Sequence, residues 1–342
     1  MPPTKLRLTF FCELDSPNLT VLFSNHEVTR QLVESGASIS LGLLDLSLER
    51  AEVARQLNQT GIPLHAWLLL PMEQGYWFNL DNAAQAQQRY QDFKRWTLEN
   101  GLHWEAVGLD IEPDIQLMQA FKHGLAVGVK SVISRLPARP ARKKALQQYL
   151  QLVQVIQNDG WKVESYQFPL IVDERRARSR FFQTLGGIID LPVDREILML
   201  YSSFFRPHGP AILSSYASEA GGIALGVTGG GVDTGGLVDS RPLDWNELQR
   251  DLLIAARFSD QLYIFSLEGC VRQGILEQIN QLDWNQNALL PAKETERVQR
   301  YRALLRAFLW MTAHPWLLIG LLAIPMLFWR RPQKRAAYVR TA

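Results

Sequence analysis

Cysteine is nearly absent from this chain. Cys12 and Cys270 are its only two, so a zinc centre built on several thiolates is excluded by count. Both sit in apolar, strand-like runs, where a buried free thiol is the expected state. The six histidines (His26, His65, His103, His123, His208 and His314) show neither HxH nor HExxH spacing, so no metal site is expected. An excess of charge of one sign is missing too. The net charge is +2 with 20% charged residues, and no basic stripe with interleaved aromatics runs through the body, so nucleic acid is not an expected partner. No Gly-rich phosphate turn follows the first apolar strand, where Cys12-Glu13-Leu14-Asp15 stands instead, which disfavours a doubly wound nucleotide-binding sheet. No cofactor is expected. A signal peptide is not evident: the run from Lys5 to Leu14 is short, is broken by Arg7 and Glu13 and has no small-residue cleavage site.

What the chain does have is apolar content, 47% of its residues, arranged in alternating strand-like and helix-like segments. Strands are expected over 6–14, 39–46, 64–70, 106–111, 162–168, 196–202, 223–227 and 261–267. Helices are expected over 48–60, 81–100, 114–123, 142–158, 174–185, 210–219, 244–257 and 271–282, with a short extra strand near 127–132. Asp81 reads as a cap, and Gly61 and Gly101 as stops. Near-continuous apolar strands joined by helical crossovers indicate a parallel sheet covered on both faces. Eight such units over residues 1–285 fit an α/β fold of the (β/α)8 TIM-barrel type. A doubly wound open sheet is the alternative.

Residues 286–306 read as a charged linker. From Ala307 to Trp329 there is no Asp, Glu, Lys or Arg. As a helix this run spans about 35 Å, enough for a bilayer core of about 30 Å. Trp310, Trp316 and Trp329 suit interfacial anchoring, and a membrane helix tolerates Pro315 and Pro325 better than a soluble one. The expectation is a single C-terminal transmembrane helix over 307–329 followed by a basic tail over 330–342. Basic residues flank the run on both sides, so the side occupied by the barrel stays open.

The candidate chemistry centres on Ala106-Val107-Gly108-Leu109-Asp110-Ile111-Glu112-Pro113. Alternate residues of a strand share a face, so Asp110 and Glu112 point the same way with Cα atoms about 6–7 Å apart. Like charges that close disfavour double ionisation, so one carboxyl is held protonated near neutral pH. A protonated acid beside an ionised one is what acid-assisted cleavage of a glycosidic bond requires. Pro113 stops the strand. Other acids stand at the carboxyl ends of the strands: Glu13, Asp15, Asp45, Glu73, Asp173 and Glu268. Asp15, Asp45 and Asp173 also suit helix capping. Trp67, Tyr76, Trp77, Phe78, Tyr201, Phe204 and Phe205 gather on the same rim. Flat apolar rings suit a sugar face, while acids bind its hydroxyls.

Val107-Gly108-Leu109-Asp110-Ile111-Glu112 resembles the end of the fourth-strand signature D-x-x-D-x-D-x-E of family 18 glycoside hydrolases, the chitinase-like barrels. Asp110 and Glu112 match its last Asp and its Glu. Glu105 stands at the first acid, and Gly108 replaces the middle Asp. Met199-Leu200-Tyr201-Ser202 resembles the family's M-x-Y-D, with Ser202 in place of Asp. Phe265-Ser266-Leu267-Glu268 resembles its W-x-L-D-like segment, with Phe265 in place of Trp. The resemblance implies that Glu112 is the general acid, that Asp110 orients a substrate acetamido group and that Tyr201 holds the acetamido oxygen. That group would itself attack the anomeric carbon. Trp77, Trp67, Glu73, Phe265, Glu268 and Glu13 complete the expected substrate-binding set. A carbohydrate is the expected partner. The alternative is a catalytically idle barrel of the same kind, binding glycan or protein.

Overall fold

The computed structural model describes residues 6–116, 139–230, 241–286 and 288–314, with the isolated positions 120, 123, 130, 131 and 316. Eight parallel strands close into a barrel in chain order: β1 Arg7–Cys12, β2 Ser38–Leu43, β3 Leu64–Leu68, β4 Ala106–Ile111, β5 Lys162–Gln167, β6 Arg195–Met199, β7 Gly222–Gly226 and β8 Gln261–Phe265. β8 pairs back onto β1, Leu8 opposite Leu262 and Phe10 opposite Ile264. Closure rules out the open doubly wound sheet.

Strand alternation sorts the apolar side chains into two layers. Phe10, Cys12, Leu41, Leu68, Val107, Leu109, Ile111 and Ile264 face outward and pack with the helices. Phe11, Trp67, Tyr166, Ile197, Met199, Ala224 and Tyr263 fill the interior. Phe11 meets Trp67 and Tyr166 edge-on, with ring centroids 5.1 and 4.8 Å apart. The cylinder is thus a packed aromatic core and not a pore.

The helices are α1 Ser16–Ser24, α2 His26–Ser35, α3 Leu48–Gln59, α4 Ala83–Asn100, α5 Arg139–Asn158, α6 Leu170–Ala177, α7 Phe181–Gly186, α8 Gly209–Tyr216, α9 Trp245–Ala255, α10 Leu267–Arg272, α11 Leu276–Asn280 and α12 Ala292–Ala313. Asp15 caps α1, accepting from the Asn18 amide at 2.9 Å. Asp45 instead pairs with the buried Arg50 at 2.9 Å, and Ser47 caps α3. Asn82, and not Asp81, stands at the start of α4. The helix expected over 174–185 is broken into α6 and α7 at Arg178, whose φ of 52° is left-handed. The one expected over 271–282 is broken into α10 and α11 beside Gly274.

The stretch expected to be a charged linker folds largely into α12, which packs on α6 and α8. Its Arg302 is buried. The guanidinium reaches Asp173 at 3.0 Å and Glu219 at 2.7 Å and lies 3.5 Å from the centre of the Tyr216 ring. Leu309 is fully buried, and Thr312 bonds Ser179 at 3.1 Å. The first residues of the apolar run, Ala307–Ala313, therefore belong to a helix docked on the barrel. The rest of that run, apart from His314 and Trp316, lies outside the described residues, as do the basic tail, half of the expected 114–123 helix and four of the six positions of the 127–132 strand, of which Lys130 and Ser131 are described and are helical. Among the described residues, no helix is long and apolar enough to cross a membrane.

Candidate active site at the barrel mouth

β4 carries Val107, Leu109 and Ile111 outward, so Gly108 and Asp110 project into the barrel and Glu112 follows just past the strand end. Asp110 is 2% exposed. Its Oδ2 accepts from the Trp67 indole N–H at 3.1 Å. Its Oδ1 is buried without a hydrogen-bond partner among the described residues; the Asp110 and Glu112 carboxyls interact, and can hydrogen-bond each other only while one of the two keeps its proton.

Burial raises the Asp110 carboxyl to about 7, with the bonds from Trp67 and Glu112 opposing the rise. Glu112 is also pushed well above the usual carboxylate range, by burial first and then by the negative charges of Asp110 and Glu13. At neutral pH the pair therefore retains a proton. Unlike Asp110, Glu112 keeps part of its surface in contact with solvent.

Tyr201 follows β6 on the inward face and is 9% exposed. Its hydroxyl is raised by burial and then by the charges of Asp110, Glu112 and Glu13, so these groups share one electrostatic neighbourhood. The ring packs on Phe204 at 5.6 Å and Phe265 at 5.9 Å, and Phe265 in turn stands 6.2 Å from Trp67. Glu13, just past β1, accepts from the Tyr76 hydroxyl at 2.5 Å. The Glu13 backbone N–H faces Glu268 Oε1 at 3.4 Å. Trp77 meets Tyr76 edge-on at 5.4 Å and is buried within the same aromatic cluster, so it is not an open stacking platform. Glu73 is exposed on the 3-10 turn Met72–Gln74, apart from this group. Asp110, Glu112, Tyr201, Trp67, Trp77, Phe265, Glu13 and Glu268 are thus brought together at the mouth; Glu73 is not. Among the described residues, no group of three or more His, Cys, Asp or Glu side chains is arranged to hold a metal ion.

Gly108 and Ser202 each have a physical cause in their surroundings. A Cβ at Gly108 would sit 2.3 Å from the Tyr166 hydroxyl and 2.6 Å from its ring carbon, so Tyr166 occupies the volume a side chain there would need. Ser202 donates a short hydrogen bond to Asp251 of α9, so an acid reaches this position from a helix instead of from β6.

A second polar group within the barrel has no counterpart in the sequence reading. One inward position below Tyr166, the buried Glu164 bonds His65 Nδ1 at 3.0 Å, Tyr263 at 2.6 Å and Arg195 at 3.2 Å. Burial alone would raise its carboxyl; the bonds and the charges of His65 and Arg195 overcome this and hold it below the usual range. Tyr166 links this group to Ser40 at 2.8 Å. The available signal was a glutamate on the inward phase of a buried strand, Lys162-Val163-Glu164-Ser165-Tyr166.

No protein-family model and no curated protein matches the chain. Among solved structures, a GH18 chitinase from Pseudoalteromonas aurantia aligns at TM-score 0.47 and 9% identity, over 80% of this chain and 98% of that one. A D-allulose 3-epimerase from Methylomonas sp. aligns at TM-score 0.41 and 11% identity, over 88% and 99%. ScGas2 in complex with compound 8 aligns at TM-score 0.39 and 11% identity, over 75% and 55%. Likenesses at this level concern the barrel and carry no chemistry.

Proposed function

We propose that the chain is a glycosidase-like hydrolase acting on a glycan that contains N-acetylamino sugars, by acid-assisted and substrate-assisted cleavage. The observation that carries this reading is the Asp110–Glu112 pair at the barrel mouth, held partly protonated by burial and mutual repulsion. Glu112 donates its proton to the departing glycosidic oxygen. Asp110, with one oxygen fixed by Trp67, orients the acetamido group, whose oxygen closes on the anomeric carbon; the Tyr201 hydroxyl steadies it. Water then opens the cyclic intermediate, with Glu112 taking the proton back. No second protein nucleophile is needed.

The test is hydrolysis of chromogenic amino-sugar glycosides and a glycan panel by the wild-type chain and Glu112→Gln. Turnover that is equal in both removes Glu112 from the mechanism. The second reading, an idle glycan- or protein-binding barrel, is favoured by Gly108 and Ser202, which stand where the resembling family carries acids. It predicts panel binding without turnover in the wild type.

Membrane attachment through residues 307–329 is part of the same proposal. It is supported by the uncharged run and by the exposed Leu304, Phe308, Trp310 and Met311 of α12. Full release of the expressed protein by carbonate washing of membranes would sink it, and protease protection in sealed vesicles would assign the side on which the barrel lies.

A further inference from the structure

The outer wall of the barrel carries a cavity of about 580 Å³ bounded by α5, α6 and α7. Arg142, Lys143, Arg175, Arg178 and Arg180 line it against one acid, Asp190. In a chain whose net charge is +2, this is a strong local concentration of positive charge. The cations are not equally engaged. Arg175 is held by Asp190 at 2.7 and 2.8 Å and by Glu196. Arg142 donates from Nη1 to Thr184 Oγ1 at 2.8 Å, while its Nε is buried with no hydrogen-bond partner among the described residues. The side chains of Lys143, Arg178 and Arg180 have no ion-pair partner among the described residues.

Like charges do not gather in a concavity without cost. The arrangement is stabilised when a ligand brings the counter-charge. A buried guanidinium N–H with nothing to bond is likewise satisfied by an oxyanion. Asp190 is already occupied by Arg175, so four cations remain to be balanced. A single carboxylate leaves most of that charge uncompensated, whereas two tetrahedral oxyanions match it, and guanidinium forks bind such groups in paired hydrogen bonds. Leu146 and Ile188 add an apolar wall on which a ring can pack.

We propose that this cavity binds a compact organic polyanion, a ligand carrying two or more phosphate or sulfate groups. The site is separate from the Asp110–Glu112 pair and does not depend on the hydrolytic reading. Calorimetric titration of the full chain with inorganic pyrophosphate, orthophosphate and a disulfated disaccharide tests it and separates the two oxyanion sources. One polyanion is expected to bind at one site per chain, about tenfold or more tighter than orthophosphate, and to weaken as salt rises. The Arg178→Ala/Arg180→Ala double variant is expected to lose about 10- to 100-fold in affinity. Its melting temperature should not change, because both side chains are exposed. Arg178→Lys/Arg180→Lys should fall between, retaining charge and losing the forks. Glu112→Gln should bind as wild type does. Absence of binding by both polyanions, an affinity of neither polyanion exceeding that of orthophosphate, or undiminished binding by the double alanine variant would each overturn the proposal.

Discussion

Replacing Asp110 by Asn should make the barrel more stable in alkali than the wild type while changing little in acid. Folding raises this carboxyl from 3.8 to about 7, chiefly by burial. A carboxyl raised in the folded state binds its proton more tightly there than in the unfolded chain. Its contribution to stability is complete below the unfolded value and is lost as pH climbs through the folded one. The shift of about 3 units is worth about 4 kcal/mol at about 1.4 kcal/mol per unit. Asn keeps an oxygen for the Trp67 N–H and offers an amide to Glu112, so the packing is preserved. The gap between variant and wild type should therefore open between about pH 4 and about pH 7 and then level off. For a chain of this size, about 2 °C per kcal/mol gives about 8 °C in Tm. Melting curves followed by circular dichroism across that range, with both proteins scanned identically, read the effect directly. Two Tm profiles that stay parallel from acid to alkali would refute the idea that a buried, proton-sharing pair sits at this mouth.

Three other outcomes follow from the geometry. Glu112→Gln should lower kcat on a cleavable amino-sugar glycoside by about 10²- to 10⁴-fold, the range of a lost general acid, with KM little changed; initial rates over a full range of substrate concentrations on matched preparations check it. Gly108→Ala should destabilise the barrel by about 1–3 kcal/mol through its clash with Tyr166; a double cycle with Tyr166→Ala, read by denaturant unfolding, should return a favourable coupling. Arg302→Leu should cost about 3 kcal/mol, because it takes the nearer cation from the buried Asp173 and leaves only Arg306 at 3.8 Å; limited proteolysis should then cut within α12 at denaturant concentrations the wild type resists.

The strands were legible because each combines an apolar run with punctuation by Gly, Pro or a capping residue, and a parallel barrel requires that of all its strands. The Asp110–Glu112 spacing was legible for the same reason: period two forces both onto the inward face. What escaped was set by partners remote in sequence. Arg302 looks like its neighbours Arg297, Arg300 and Arg306; only Asp173, Glu219 and Tyr216, delivered by other segments, make it a buried residue. Gly108 reads as a missing acid until Tyr166 is seen to fill its place. Trp77 reads as an exposed loop aromatic because the folding of Tyr76 onto Glu13, which carries it inward, depends on a strand more than sixty residues earlier. The break at Arg178 left no mark, since a non-glycine residue in left-handed geometry has no sequence signature.

The fastening of α12 has a mechanical corollary. Its ties run to Asp173, Ser179, Ser215 and Glu219, all in the connections that follow β5 and β6. Tension applied to the chain beyond Ala313 is borne first by this clasp, in shear along the helix, before any strand of the cylinder is loaded. The strand that ends beside Tyr201 is the one suspended from it, so slackening the clasp would alter the footing of that tyrosine while the β4 acids stayed where they are.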